Sequence, residues 1–578
     1  MNKNYPIYKT TFIDDMRALV EEAAQNFPDS TAISYKEKYT DKEVKKVSFP
    51  QWRDDVRHLG TALISAGLRE EKIAIVGENS YGWCCSFFAV MAIGSVTVPV
   101  DKELPSEDID GIITTTGCKA VIYGKSAEDK IKDILRSGGL KTVEMLVSIA
   151  PDSTLDESLL GGRICTCVSL LQEKGAELFR IGDNSYYDYK IDVNKLASIV
   201  FTSGTTGKGK GVMLSQANIC LDMTLGMYNF DITRKTLHVL PPHHTFGSTV
   251  NYVGHLAQGC EVYISSGLKH VSDEIREQQP THLILVPAFL EVMNRKIWAT
   301  ARKGGKEGLL KVMIKVSNCL RKVGIDLRRK LFGSVLQAFG GRLELVICGG
   351  AKLDEEIINT FDSLGITVLN GYGITECAPL ISANRNRYRK PGSVGTPILA
   401  CRVKIDNPDE NGEGEICVKG PNVMLGYYNN PEATAEVFDK DGFFHTGDYG
   451  KLDEEGWIYI TGRKKNLIIL SNGKNVYPEE IEADLQKVEG VSEVVVYAGE
   501  SRVQKDRITI VAEIFPDAEL LADKGITDMQ GYFEDQVRLL NARMAPYKAV
   551  KRVKLRDVEF QKNTSRKITR FSIDKTID

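Results

Sequence analysis

Short apolar runs alternate with amphipathic stretches through most of this chain, and that alternation most limits the folds open to it. IAIVG (73–77), AVIYG (120–124), ASIVF (197–201), TLHVL (236–240), EVYIS (261–265), HLILVP (282–287) and LELVICGG (343–350) read as strands. Residues 49–68 and 215–227 read as helices. Strands apolar at nearly every position need cover on both faces, which predicts α/β layers around largely buried sheets. FFAVMAIGSVTVPV (87–100), interrupted by Gly94, Ser95 and Thr97, is too short to span a bilayer and reads as a core helix running into a buried strand. At 578 residues the chain exceeds one core, so several subdomains are expected.

The texture changes after Arg463. A compact unit follows: helix EEIEADLQKV, strands SEVVVYAG and ITIVAEIFP, a longer helix around 532–544, and a last strand VKRVKLRDV. That order is α+β in style. The polar, charged run Arg463-Lys464-Lys465-Asn466 between the two textures fits a hinge, giving domains 1–463 and 464–578.

Hydrophobic residues make up 42% and charged residues 26%, ordinary for a globular protein. The net charge of -3 weighs against nucleic acid as a partner. The 12 cysteines form no regular framework and no pair of C-x-x-C units that would suggest zinc. They read as free thiols in a reducing compartment. The start, MNKNYPIYKT, lacks the apolar stretch of a signal peptide, so a cytoplasmic location is expected.

Four segments carry chemistry. In FTSGTTGKGKGVMLS (201–215) a strand ends at Phe201, glycines and hydroxyl residues follow, then two lysines, then a helix that Ser215 can cap. Glycines let backbone approach an anion, and hydroxyls and N–H groups donate to phosphate oxygens. It is not a Walker A loop, because Lys208 and Lys210 are each followed by glycine. A plain Gly/Thr surface loop is the other reading. In VLNGYGITECAP (368–379) a tyrosine in a glycine-rich turn can stack on a base, and Thr375 and Glu376 can hold phosphate and Mg²⁺; an ordinary tight turn is the alternative. Within 444–482, Asp448 follows a Thr-Gly and is expected in a turn, where its carboxylate can accept from a ribose; an Asx-turn for Asp448 and a surface ion pair for Arg463 are the alternatives. FQKNTSRKITR (560–570) is basic and polar, and a solvated tail would look the same.

Together, in this order and at these separations, the four segments resemble the adenylate-forming superfamily: acyl-CoA synthetases, peptide-synthetase adenylation domains and firefly luciferase. The likeness runs from about the first helix to the C-terminus. It implies a large, multi-subdomain α/β N-terminal domain of the acyl-CoA synthetase/luciferase type, joined to a small mobile α+β C-terminal domain. By the same resemblance Thr202, Ser203, Gly204, Thr205, Thr206, Gly207 and Lys210 hold the ATP phosphates, with Gly209 where proline is usual. Gly349, Gly350, Ala351, Gly371 and Tyr372 form the adenine pocket; Thr375 contacts phosphate and Glu376 binds Mg²⁺. Asp448 and Arg463 hold the ribose, Lys465 is the hinge, and Gly473 and Lys474 line the coenzyme A channel. Lys567 matches the C-terminal catalytic lysine, with Arg566 where glycine is usual.

His243-His244-Thr245-Phe246-Gly247 resembles the segment at the carboxylate end of the acyl pocket, which adds His244 to the catalytic set. Amino-acid-activating relatives place an aspartate there, so histidine points away from an amino acid. The long stretch 295–339 and the general run of the sequence resemble long-chain fatty acyl-CoA synthetases. The expected reaction is ATP-dependent activation of a medium- or long-chain fatty acid to acyl-AMP, then transfer to coenzyme A. An acyl-AMP ligase loading an acyl carrier protein, or a ligase for an aryl or other carboxylic acid, is the alternative; monomer and homodimer both stay open. Between 295 and 330, twelve Lys and Arg face only Glu307 and Asp326, and Leu309, Leu310, Val312, Met313, Val316, Leu320 and Val323 recur at roughly helical spacing. Such a segment suits peripheral contact with an anionic membrane, and equally a helix packed on its domain with charges in water.

Overall fold

The structure is a computed structural model describing residues 8–152, 155–202, 209–232, 234–470, 475–500, 508–562 and 568–577. Packing divides the chain into two compact units. The first holds residues 1–402 and 419–438; the second holds 403–418 and 439–578.

Two large sheets carry the first unit. In one, the strands Lys72–Val76, Val96–Val100, Ala120–Tyr123, Met145–Ser148, Ile164–Cys167 and Leu196–Thr202 run parallel to their neighbours, then Lys210–Ser215 and Gly426–Tyr427 add antiparallel. In the other, Thr31–Tyr35, Glu261–Ile264, Lys235–His238, His282–Leu285, Leu345–Cys348 and Thr367–Gly373 form the parallel part. All seven strands expected from the apolar runs are present in these sheets, most of them buried at nearly every position because helices cover both faces.

The apolar stretch at 87–100 forms the end of helix Tyr81–Ala92, a turn through Gly94, and the fully buried strand Val96–Val100. Helix Gln216–Met227 begins where expected, with Ser215 as N-cap and Asn218 completing a capping box. The sequence reading passed over the strand Lys210–Ser215 that precedes it. Its polar flanks hide a two-residue period, since Val212 and Leu214 face the core and Met213 the other side.

In the second unit, Arg402–Asp406, Gly414–Lys419, Phe444–Leu452 and Ile458–Arg463 form a four-stranded sheet. Val491–Gly499, Thr509–Pro516 and Arg552–Leu555 form a three-stranded one, with helices Pro478–Leu485 and Met529–Asn541 on its core. The α+β reading of the tail therefore holds element by element. Packing joins residues 439–463 to that tail, whereas the change of texture put a boundary after Arg463. Ten of the cysteines are buried free thiols, and Cys165 and Cys319 are exposed. Among the described residues no helix is long and apolar enough to cross a membrane.

Candidate active site

Thr202 closes its strand opposite Lys210, the first residue of the next, so an antiparallel pair frames the glycine-rich loop. Ser203, Gly204, Thr205, Thr206 and Gly207 lie outside the described residues. The Lys210 ammonium rests 4.7 Å from the centre of the Tyr427 ring. The Tyr427 hydroxyl donates to Glu376 Oε1 at 2.9 Å. Burial, followed by the Glu376 carboxylate, pushes the Tyr427 phenol well up, so it remains a neutral donor.

One side chain thus joins the expected phosphate lysine to the expected metal ligand. The sequence reading missed Tyr427. Its signal was weak: a tyrosine in GYYNNPEAT, brought beside Lys210–Ser215 only by long-range strand pairing.

Thr375 and Glu376 occupy the tight turn Thr375–Cys377, which follows strand Thr367–Gly373. Met424 N donates to the Glu376 carbonyl at 2.8 Å, fixing the turn from a second side. A hydroxyl and a half-buried carboxylate are hard oxygen donors of the kind Mg²⁺ takes alongside nucleotide phosphates, so the residues present fit that ion.

Gly349, Gly350 and Ala351 leave the C-terminal end of strand Leu345–Cys348, next to Gly371 and Tyr372 on the neighbouring parallel strand. This carboxyl edge is where open α/β sheets bind ligands. A side chain at Gly349 would sit 3.3 Å from Gly371 O and 3.4 Å from the Phe246 ring, so the backbones approach closely only because glycine stands there.

Phe246 opens the helix Phe246–Gly254, wound as a π-helix, a form that often marks functional sites. Just before it, the His244 carbonyl accepts from Gly247 N at 2.8 Å and Ser248 N at 2.9 Å. The His243 and His244 rings lie 4.3 Å apart, and His243 Nε2 is 3.6 Å from Asp101 Oδ2. Burial, then the Lys102 ammonium, lowers the His243 imidazole to about 3, so it is neutral near pH 7. The structure therefore groups the histidine segment, Gly349 to Ala351, and Gly371 to Glu376 on one edge of one unit.

Asp448 and Arg463 belong to the second unit. They face each other across the hairpin of Phe444–Leu452 and Ile458–Arg463, and Arg463 Nε donates to Asp448 Oδ1 at 2.7 Å. Asp448 lies within a strand rather than the expected turn. Gly447, at φ +71°, kinks the strand just before it, which is why Thr-Gly-Asp reads locally as a turn.

Behind it the buried Glu415 accepts from Gly447 N at 3.1 Å, His445 Nδ1 at 3.1 Å and Lys464 Nζ at 2.6 Å. Against the opposing effect of burial, Lys464 and His445 hold the Glu415 carboxyl below its usual range. Lys465 sits in the turn Lys464–Asn466 directly after the strand. Gly473, Lys474 and Lys567 lie outside the described residues. Glu415 carries no signal in the sequence, because two glutamates in GEGEIC have the look of a solvated face.

Comparison with known proteins bears on this arrangement. A model of the family described as AMP-binding enzyme matches residues 20–428. The long-chain-fatty-acid–CoA ligase 5 of Rattus norvegicus is 30% identical over 508 residues, covering 82% of this chain and 72% of the relative. The long-chain-fatty-acid–CoA ligase 1 of Homo sapiens is 29% identical, covering 87% of this chain and 74% of its own. A solved anthranilate CoA ligase in complex with anthranoyl-AMP shares the fold with a TM-score of 0.75 at 19% identity, over 98% of this chain and 97% of that one.

Proposed function

The chain belongs to the AMP-binding enzyme family, and from that premise we propose that it activates a fatty acid as its acyl-adenylate at the expense of ATP and passes the acyl group to coenzyme A. The observation that carries the reading is the Lys210–Tyr427–Glu376 linkage, which puts a phosphate-binding cation and a metal-binding carboxylate on one tyrosine. The relatives named as long-chain-fatty-acid–CoA ligases support the choice of acid and thiol.

In the first half-reaction the acid's carboxylate oxygen attacks the α-phosphorus of ATP, and pyrophosphate leaves with the electrons of the broken P–O bond. Two anions must approach, so positive charge near the transition state is the main requirement. Thr202, Lys210 and Thr375 would bind the phosphates, Glu376 would hold Mg²⁺, and Lys567 would approach from the C-terminal segment. Mg²⁺, when bound, neutralises charge on the phosphate oxygens.

Gly349 to Ala351, Gly371 and Tyr372 would take the adenine, and Asp448 with Arg463 the ribose. His244 would lie at the carboxylate end of the acyl site. His243, lowered by burial, is a neutral ring beside the Asp101 side chain, so it carries no anionic charge of its own for an ammonium group. In the second half-reaction a thiolate attacks the mixed anhydride's carbonyl carbon and AMP departs.

Residues 464–578 would form the mobile domain, with Lys465 as hinge, Lys567 serving the first half-reaction, and Gly473 and Lys474 lining the thiol's path in the second. On this reading the boundary after Arg463 is one of motion.

Peripheral membrane contact is part of the proposal. On helix Glu307–Lys322, Leu310 and Ser317 face the core, whereas Leu309, Val312 and Val316 are more than half exposed, as is Val323 just beyond its end. Lys315 and Lys322 are exposed on the same helix. An apolar stripe beside cations suits an anionic bilayer, where fatty acids partition.

The test of the whole reading is acyl-CoA formation with ATP, Mg²⁺ and coenzyme A across acids of graded chain length. Activity should rise with length, at about 0.8 kcal/mol per buried CH₂, until the acyl site is filled. Turnover only with a carrier protein, or only with aryl acids, would overturn the choice of thiol or acid.

A further inference from the structure

Helix Gln216–Met227 carries an aspartate in the middle of an apolar face, NICLDMTLGM. Asp222 is fully buried, and among the described residues no cation pairs with it. Its Oδ2 accepts from Leu380 N at 3.2 Å, and its Oδ1 from Asn422 Nδ2 at 3.3 Å. Asn422 is also fully buried. Its Nδ2 lies 2.7 Å from Leu380 O and 3.1 Å from Cys377 O, so the two carbonyls set the amide's orientation.

One helical turn before Asp222, Asn218 Nδ2 donates to Pro421 O at 2.7 Å and Val423 O at 2.9 Å, holding the backbone on both sides of Asn422. The same strand segment supplies Met424 N to the Glu376 carbonyl and Tyr427 to the Glu376 carboxylate. Every polar link in this seam ends on the stretch from Glu376 to Leu380, or on the segment that grips it.

Burial pushes the Asp222 carboxyl well up, against the smaller lowering from Leu380 N and Asn422. A buried acid in either protonation state costs more than the leucine that would fill the same face. A polar seam inside an apolar helix face is therefore poor value for stability alone. It does fix backbone position, since the Cys377 and Leu380 carbonyls share one buried donor and Leu380 N meets a buried acceptor.

We propose that Asp222 and Asn422 are positioning residues, which lock the turn after Thr375 and Glu376 so that Glu376 presents its carboxylate to a divalent cation carried by ATP. This rests on the adenylation reading above. Neither residue reaches the reacting atoms; both act through Glu376.

The test uses the full chain and Mn²⁺ as the probe, with free Mn²⁺ followed by its electron paramagnetic resonance signal in the presence of ATP. ATP binding in excess EDTA is titrated in parallel by calorimetry. Asn422→Ala strips the buried Cys377 carbonyl of a donor, and Asp222→Asn keeps the volume but removes one of two acceptors. Both variants should weaken Mn²⁺–ATP binding by about tenfold, the loss expected for one buried hydrogen bond, while metal-free ATP binding stays within about twofold.

The double variant should be little worse than the weaker single one, because both act on one turn. Equal weakening of metal-free and Mn²⁺-bound ATP would reduce the seam to a structural role and overturn the proposal. Unchanged Mn²⁺–ATP affinity in a normally melting Asp222→Asn protein would overturn it too. A wild-type chain that binds neither form of ATP would instead overturn the adenylation reading on which this one rests.

Discussion

Arg463 donates from Nε to the carboxylate of Asp448 at 2.7 Å, from the position directly opposite it in the hairpin. Asp448 is buried and Arg463 is partly exposed, so the guanidinium turns one oxygen of the carboxylate rather than sealing the pair from solvent. Glu415 anchors the kinked backbone before Asp448 from the other side. An aspartate held this firmly suits a rigid diol such as a ribose.

The ribose assignment predicts a preference that can be read directly. Wild-type protein should use ATP better than 2′-deoxy-ATP, because one hydroxyl partner of the carboxylate is lost. Asp448→Ala should raise KM for ATP by about tenfold or more, the loss of a hydrogen bond to a charged group, and should erase the preference between the two nucleotides. Steady-state kinetics with both nucleotides decides it; a preserved preference in Asp448→Ala would place the ribose elsewhere.

Acid should destabilise the protein through buried histidines. Burial lowers His238 and His243 to about 3 and His255 to about 4. In the unfolded chain histidine titrates near 6.5, so between about pH 6.5 and 4 the unfolded state binds more protons and stability falls as pH falls. Each group costs about 2 kcal/mol at pH 5 relative to neutral pH. Thermal melts should drop steeply from pH 7 to pH 5, and His255→Asn should flatten that slope. A melting temperature independent of pH over this window would contradict the buried, neutral state of these rings.

Legibility in the sequence divided along physical lines. Strand and helix positions followed apolar period, which is local, so 73–77 or 215–227 needed no tertiary knowledge. Glycine-rich segments stood out because backbone approach to an anion or a neighbouring strand requires glycine, as Gly349 shows. Tyr427, Glu415, Asp222 and Asn422 did not stand out. Each acts through a partner distant in sequence, and a single polar residue in a strand or helix carries no periodic signal.

The cations of helix Glu307–Lys322 and its surroundings are not equivalent. Arg321 is tied to Asp362 at 2.8 Å and Lys311 to Glu307 at 2.8 Å, whereas Lys315 and Lys322 stand on the exposed side. Wild-type protein should sediment with vesicles containing anionic lipid at low salt and release at high salt. Lys315→Gln with Lys322→Gln, or Leu309→Ser with Val316→Ser, should weaken that binding and leave activity on a short, water-soluble acid intact. Binding that ignores vesicle charge, or self-association through this face, would leave the helix without a lipid role.

Lys567 and Lys465 should separate the two half-reactions. Lys567→Ala should slow acyl-AMP formation by about two orders of magnitude, since its charge matters chiefly in the transition state. It should still convert supplied acyl-AMP and coenzyme A to thioester. Lys465→Pro should do the reverse, because a stiffened hinge traps the first pose. Rapid-quench assays of each half-reaction distinguish these outcomes; equal losses in both halves would remove the assigned roles.

The central claim, activation through an adenylate, is tested most directly by exchange of labelled pyrophosphate into ATP, with the adenine product identified during turnover. Exchange should require both a fatty acid and Mg²⁺, with AMP as the released nucleotide. Release of ADP, or exchange that proceeds without any acid, would contradict it.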